Sequence, residues 1–274
     1  MKKLIIIETV LCVAIVTGVF VCRRTRASGG FAAQDTVDAF VALQPTNDLS
    51  QVMQLMTSGS ATNKFDVNQY FTVLDALRPE PGYVLDWVYW NRGGGGLPVL
   101  YARQINAPPY VSFDNYVALS TNATMGGVRG ELHADESFFF GHLDKLHVRD
   151  NPEGFFQFVV LRILGDRFHL FWHELYRETF LICSKQGWEA LLLHEKERGE
   201  PYDPPPAEFI AAASEVDFLP RIRMREEKVE VNVTTYSPFE GLHLHYFSIS
   251  REYPHTILKH TETNLLRHTQ GFVF

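Results

Sequence analysis

The stretch from Leu4 to Cys22, LIIIETVLCVAIVTGVFVC, constrains this chain more than any other. It holds one charge, Glu8, in 19 residues. As a helix it would be about 28 Å long, close to the ~30 Å hydrocarbon core of a bilayer. Glu8 lies one turn from the end and can reach the interface, so its cost is outweighed by the surrounding Ile, Leu and Val. Lys2-Lys3 precede the span, and Arg23-Arg24-Thr25-Arg26 follow it. A cleaved export signal would suit the lysines but not the exit, where small neutral residues are needed. The sequence therefore predicts a membrane anchor over 1–26 and a short tether over 27–33. A single domain over 34–274 follows. The arginine cluster resembles a stop-transfer signal, which leans the orientation towards a cytoplasmic body; the near-equal basic flanks leave the side of the membrane open.

The remainder must fold without help from lipid, and it has the means. The chain is 46% hydrophobic and 13% aromatic, with 21 Phe, which is enough apolar surface for a sizeable core and argues against disorder. Residues 1–26 hold five basic side chains and one acid, which leaves 20 basic and 31 acidic residues, a net of −11, in the rest. Such a body repels phosphate backbones, so no nucleic-acid partner is expected. Only Cys183 lies outside the N-terminal segment, so no disulfide can form within the body.

Periodicity predicts an α+β domain of short helices and antiparallel hairpins and meanders. Three short helices are expected within 34–78, the last opened by Asp66 and closed by Pro79. Tyr83–Trp90 and Leu97–Arg103 read as strands of a hairpin joined by a glycine-rich segment. Trp87 and Tyr89 should share one face, with Trp90 on the other. Ser112–Leu119 reads as a short helix, and 120–136 as an irregular loop. The apolar runs Phe155–Leu164, Phe168–Tyr176 and Thr179–Cys183 read as a three-stranded meander, and 186–193 as a helix. The charged and proline-rich stretch 195–206 is the best candidate for a subdomain boundary. A helix over 208–216 and a second meander complete the chain: Val229–Tyr236, alternating as Val229, Val231 and Val233, then a turn at Ser237-Pro-Phe-Glu-Gly241, Leu242–Ser250 and His255–His260.

Chemistry is best sought among the eleven histidines, all between His133 and His268. His169 and His173 are four apart, and on a strand that places them ~13 Å apart, too far to share an ion. His243 and His245 are two apart on an expected strand, which puts both rings on one face about 6–7 Å apart. They are the leading metal pair. His133, Asp135 and Glu136, followed by His142 and His147, form a second group of N and O donors. Gly93–Gly96 is not a phosphate loop, because no Lys-Ser/Thr follows and a strand, not a helix, comes next. No Gly-x-Ser-x-Gly elbow is present, and Asp86 and Glu174 are available as triad acids without any pattern around them.

The expected function is thus a membrane-tethered binding or scaffold module. Its partners would be the bilayer, through Leu4 to Cys22, and an unidentified protein or small molecule. The alternative is a metal-dependent hydrolase. There His243 and His245, with His133, Asp135 or Glu136, would hold zinc or another divalent ion and lower the pKa of a bound water.

Overall fold

The computed structural model describes residues 32–45, 49–58, 64–91, 95–120, 123–126, 131–134, 136–198 and 204–268. They belong to one compact unit, Ala32–Phe274. The span Leu4–Cys22 and the tether through Phe31 lie outside the described residues. Among the described residues no helix is long and apolar enough to cross a membrane.

Helices α1 (Ala33–Leu43) and α2 (Leu49–Ser58) open the unit. A 3-10 turn follows at Val67–Thr72, where Asp66 accepts a bond from the Asn68 amide. This turn stops at Thr72 rather than at Pro79, because Leu77–Pro79 extends into a strand, β1. The expected hairpin is present as β2 (Tyr83–Asn91) and β3 (Gly95–Gln104), with Val88 opposite Val99. Then come α3 (Phe113–Leu119, capped by Ser112), β4 (Ala123–Gly126), β5 (Glu131–Ala134) and α4 (Glu136–Phe140). The stretch read as an irregular loop over 120–136 therefore contains a two-stranded hairpin, β4–β5. A 3-10 turn at Gly141–Lys145 leads into β6 (Leu146–Val148), which pairs with β1.

The largest correction comes next. Phe155–Leu164, expected as a strand, lies in helix α5 (Pro152–Leu164). Ten of its residues are buried, so no polar stripe marks a 3.6-residue period. A helix that is apolar all round reads like a buried strand when only periodicity is used. The local signal was Asn151-Pro152: the Asn151 side chain accepts the Gly154 amide at 2.8 Å, and proline sits in the first turn. The supposed meander reduces to β7 (Phe171–Trp172), a 3-10 turn at His173–Arg177 and β8 (Phe180–Ile182). His169 and Trp172 adopt positive φ, at 51° and 48°, and no continuous strand can run through them.

The C-terminal half holds α6 (Lys185–Arg198), α7 (Ala207–Ala213), β9 (Arg221–Met224), β10 (Lys228–Ser237), β11 (Gly241–Ser250) and β12 (Ile257–Leu266). The expected second meander, β10–β11–β12, is antiparallel throughout, and its third strand is longer than anticipated. One edge of β10 is shared by β9 and β8; β12 ends the sheet on the other side.

Alternation assigns the sheet's two faces. Ile182, Tyr236 and Leu242 pack with Trp188 and Leu191 of α6 and Phe209 and Ala213 of α7. Helices α6 and α7, on either side of the proline-rich stretch, thus share one cluster. The opposite face carries Val229, Val231 and Val233, all buried, and α5 lies against β8, β9 and β10 there. Each such aliphatic side chain contributes about 1.5–3 kcal/mol on burial. Gln157, buried on α5, is paired: it accepts the Ala76 amide at 2.8 Å and donates to Asp75 at 3.2 Å.

The aromatic cluster on β2 divides as its period requires. Trp87 and Tyr89 point inward, where the Trp87 indole donates to the Phe65 carbonyl and the Tyr89 hydroxyl to that of His169. Trp90 points to the opposite face, where it packs on a second core cluster and stacks on Phe113 at 5.0 Å.

Candidate functional site

Register, not sequence distance, assembles the site. On β11, residues 243, 245, 247 and 249 share the α5 face. Their partners on β10 are Thr235, Val233, Val231 and Val229. On β12 the partners of His243, His245 and Phe247 are Asn264, Glu262 and His260. The face is therefore wholly apolar at one end and polar at the other, with His243, His245, His260, Glu262, Asn264 and Thr235 grouped together.

The β10–β11 turn adds a further carboxylate. Ser237-Pro-Phe-Glu240 closes with a bond from the Glu240 amide to the Ser237 carbonyl, and Gly241 follows at φ 92°. A left-handed residue after a tight turn returns the chain into a hairpin with a bulge, and glycine adopts it at least cost. The turn brings Glu240 beside His243.

Each histidine is held by its Nε2 atom. For His243, Nε2 lies 3.3 Å from the Glu240 carbonyl. That carbonyl can only accept, while the Asn264 side-chain amide, 3.2 Å from the same Nε2, can only donate, so Nε2 stands between one acceptor and one donor. Glu262 Oε1 stands 2.5 Å from that Nδ1. The approach is close but not directed as a hydrogen bond, and Nδ1 is buried without one. For His245, Nε2 meets the Thr235 hydroxyl at 2.8 Å, while Nδ1 lies 3.0 Å from His260 Nε2 and 3.9 Å from Glu262 Oε2. The His260 ring stacks flat on Phe247, with centroids 4.2 Å apart. Both Nδ1 atoms of the sequence-predicted pair thus face the two oxygens of one carboxylate. Burial holds the His245 pKa down to about 3, and the neighbouring His260, His243 and Arg162 push the same way. His245 is neutral at pH 7.

Glu240, His243 and Glu262 each offer one ligand atom, and these lie within 4.8 Å of one another. His245 stands beside this trio rather than in it, because its ring is engaged by Thr235 and His260. Of the second predicted group, only His142 and His147 have side chains among the described residues. His142 is buried in the 3-10 turn after α4, while His147 lies on β6 opposite Arg78, exposed and stacked on Tyr253 at 4.3 Å. His133 pairs with Thr124 in β5; its side chain, Asp135 and the Glu136 side chain lie outside the described residues.

The other candidates have structural roles. His169 is buried in ring contact with Trp87 and Phe168, whereas His173 is exposed and stacks on Trp172. Asp86 is bound by Lys64 and Arg103. Burial opposes its charge, but these two cations outweigh that and hold its carboxyl below the usual range. Glu174 is buried and paired with Arg177. Cys183 is a buried free thiol whose pKa burial pushes up to about 12, with Asp38 adding to the rise. A separate groove of about 440 Å³ runs between α1, α5, β8 and α6, lined by Val37, Val41, Leu164, Leu170, Leu181 and Leu191 among others. It shares no residue with the histidine cluster.

Reasoning on the sequence found His243 and His245 but missed Glu240, His260 and Glu262. The tight turn at Ser237–Gly241 was a usable signal for Glu240. The β12 residues had none, because only strand register places them. Comparisons of the chain with protein-family models, with curated proteins and with solved structures give no match.

Proposed function

We propose that this chain is a membrane-tethered binding module. Leu4–Cys22 is the tether, and the polar end of the large sheet is the contact surface. The observation that carries the reading is the abrupt change along one sheet face, from buried valines under α5 to a group of histidines and carboxylates around an exposed edge strand. A folding core gains nothing from gathering such groups there, whereas a ligand surface needs them.

Fractionation tests the tether. The full chain should stay in the membrane pellet through a high-salt wash and an alkaline carbonate wash, while a chain of residues 27–274 should be soluble. Recovery of the full chain in the salt wash would refute the tethered reading.

The second reading, a metal-dependent hydrolase, is favoured by one observation. Glu240 and Glu262 supply the acidic partners that the His243/His245 pair required. An ion held there by one imidazole and two carboxylates would keep a position open for water and lower its pKa.

A further inference from the structure

We propose that Glu240, His243 and Glu262 bind one divalent transition-metal ion of zinc's class. The proposal rests on the reading of this sheet face as a contact surface and names its ligand; it does not rest on the tether.

Reach is the first argument. Three atoms within 4.8 Å of one another have a common point no more than about 2.8 Å from each, and zinc bonds to N and O are roughly 2.0–2.2 Å. Closing that gap takes a side-chain shift of under ~1 Å. In a tetrahedral ion with such bonds, two ligand atoms stand roughly 3.3 Å apart. Glu262 Oε1 and His243 Nδ1, at 2.5 Å, must therefore separate slightly. Glu262 can move because it stands exposed on the edge strand β12.

Preorganisation is the second. A metal-binding imidazole usually donates its other N–H to a carbonyl or carboxylate, which fixes both tautomer and ring orientation. His243 has such a carbonyl at hand, with Nε2 3.3 Å from the Glu240 oxygen, and the Asn264 amide lies 3.2 Å from both that oxygen and Nε2. The ring points Nδ1, buried and without a directed hydrogen bond, towards Glu262, and an ion binding there would take the place of any proton on that nitrogen. Donor chemistry is the third argument. One imidazole with two carboxylates suits zinc, cobalt, nickel or manganese, while calcium and magnesium take oxygen ligands.

The untagged full chain in detergent, stripped with chelator, is titrated calorimetrically with zinc chloride and separately with calcium chloride. One zinc per chain is expected, with calcium much weaker. His243→Ala and Glu262→Gln should each weaken zinc binding about tenfold or more, the scale of loss on disturbing a metal site. His173→Ala, at an exposed histidine elsewhere, should leave it unchanged. Glu262→Gln keeps the side chain's shape on an exposed strand, so it carries the test if His243→Ala does not fold. No stoichiometric zinc, zinc that survives both substitutions, or calcium bound equally well would each overturn the proposal. The fractionation result is independent of all three, so a failed metal site and a failed tether remain distinguishable.

Discussion

Two glycines share a positive φ and differ in the space around them, which separates strain from collision. Gly82 sits at φ 87°, and a Cβ built there meets nothing within 4 Å. Gly241 sits at φ 92°, and a Cβ there would stand 2.1 Å from the Leu266 carbonyl oxygen and 2.7 Å from the His268 amide nitrogen. Those are backbone atoms at the end of β12 and just beyond it, so no flexible side chain can give way. Gly82→Ala should cost only the left-handed conformation, about 1–2 kcal/mol. Gly241→Ala should add the displacement of β12 from β11 where Leu242 opposes Leu266. Losing one or two ladder hydrogen bonds at about 1 kcal/mol each raises the total to about 2–4 kcal/mol. For a domain of this size each kcal/mol lowers the melting temperature by roughly 2–4 °C. Urea unfolding with matched slopes, beside thermal melts, measures the difference. If Gly241→Ala is no more damaging than Gly82→Ala, the contact argument at this hairpin is wrong. Because Gly241 lies beside Glu240 and His243, its substitution should also weaken zinc binding.

Three further outcomes are expected. His142 is fully enclosed, its ring nitrogens make no directed hydrogen bond, and burial holds its pKa down to about 4 from an ordinary 6.5; Asp166 and the backbone of Phe139 and Leu100 pull it upward and Arg162 downward. The unfolded chain therefore takes up protons that the folded one refuses. Stability is full above pH 6.5 and falls as pH drops towards 4, and His142→Leu should flatten that slope in urea melts at a series of pH values; an unchanged slope would remove His142 from the account. Asn151→Ala removes the cap of α5 and should cost about 1 kcal/mol in urea unfolding, whereas a loss below a few tenths would deny the cap any role. With Cys12 and Cys22 changed to Ser, the Cys183 thiol should resist a thiol-specific reagent at pH 8 until the chain unfolds; rapid labelling of the folded protein would contradict its burial.

What could be read without coordinates was local. Ser112 announced α3 through its side chain, and Ser237-Pro-Phe-Glu-Gly announced the turn into β11. The two-residue period of Val229, Val231 and Val233 announced β10, and the same period placed His243 and His245 on one face. Helix α5 misled because burial on all sides erases the polar stripe that distinguishes a helix from a strand. The β4–β5 hairpin was missed because its short strands carry no strong alternation.

The sequence alone determined the α+β class, the β2–β3 hairpin, the C-terminal meander, the acidic character of the body and the pairing of two imidazoles, because turn chemistry, alternation and charge act between near neighbours. Tertiary structure alone decided that Glu262 and His260 face those imidazoles and that α5 packs against β8, β9 and β10. Strand register and helix docking are set by the packing of the whole core, and a slip of one residue in β12 would turn every one of its side chains to the other face.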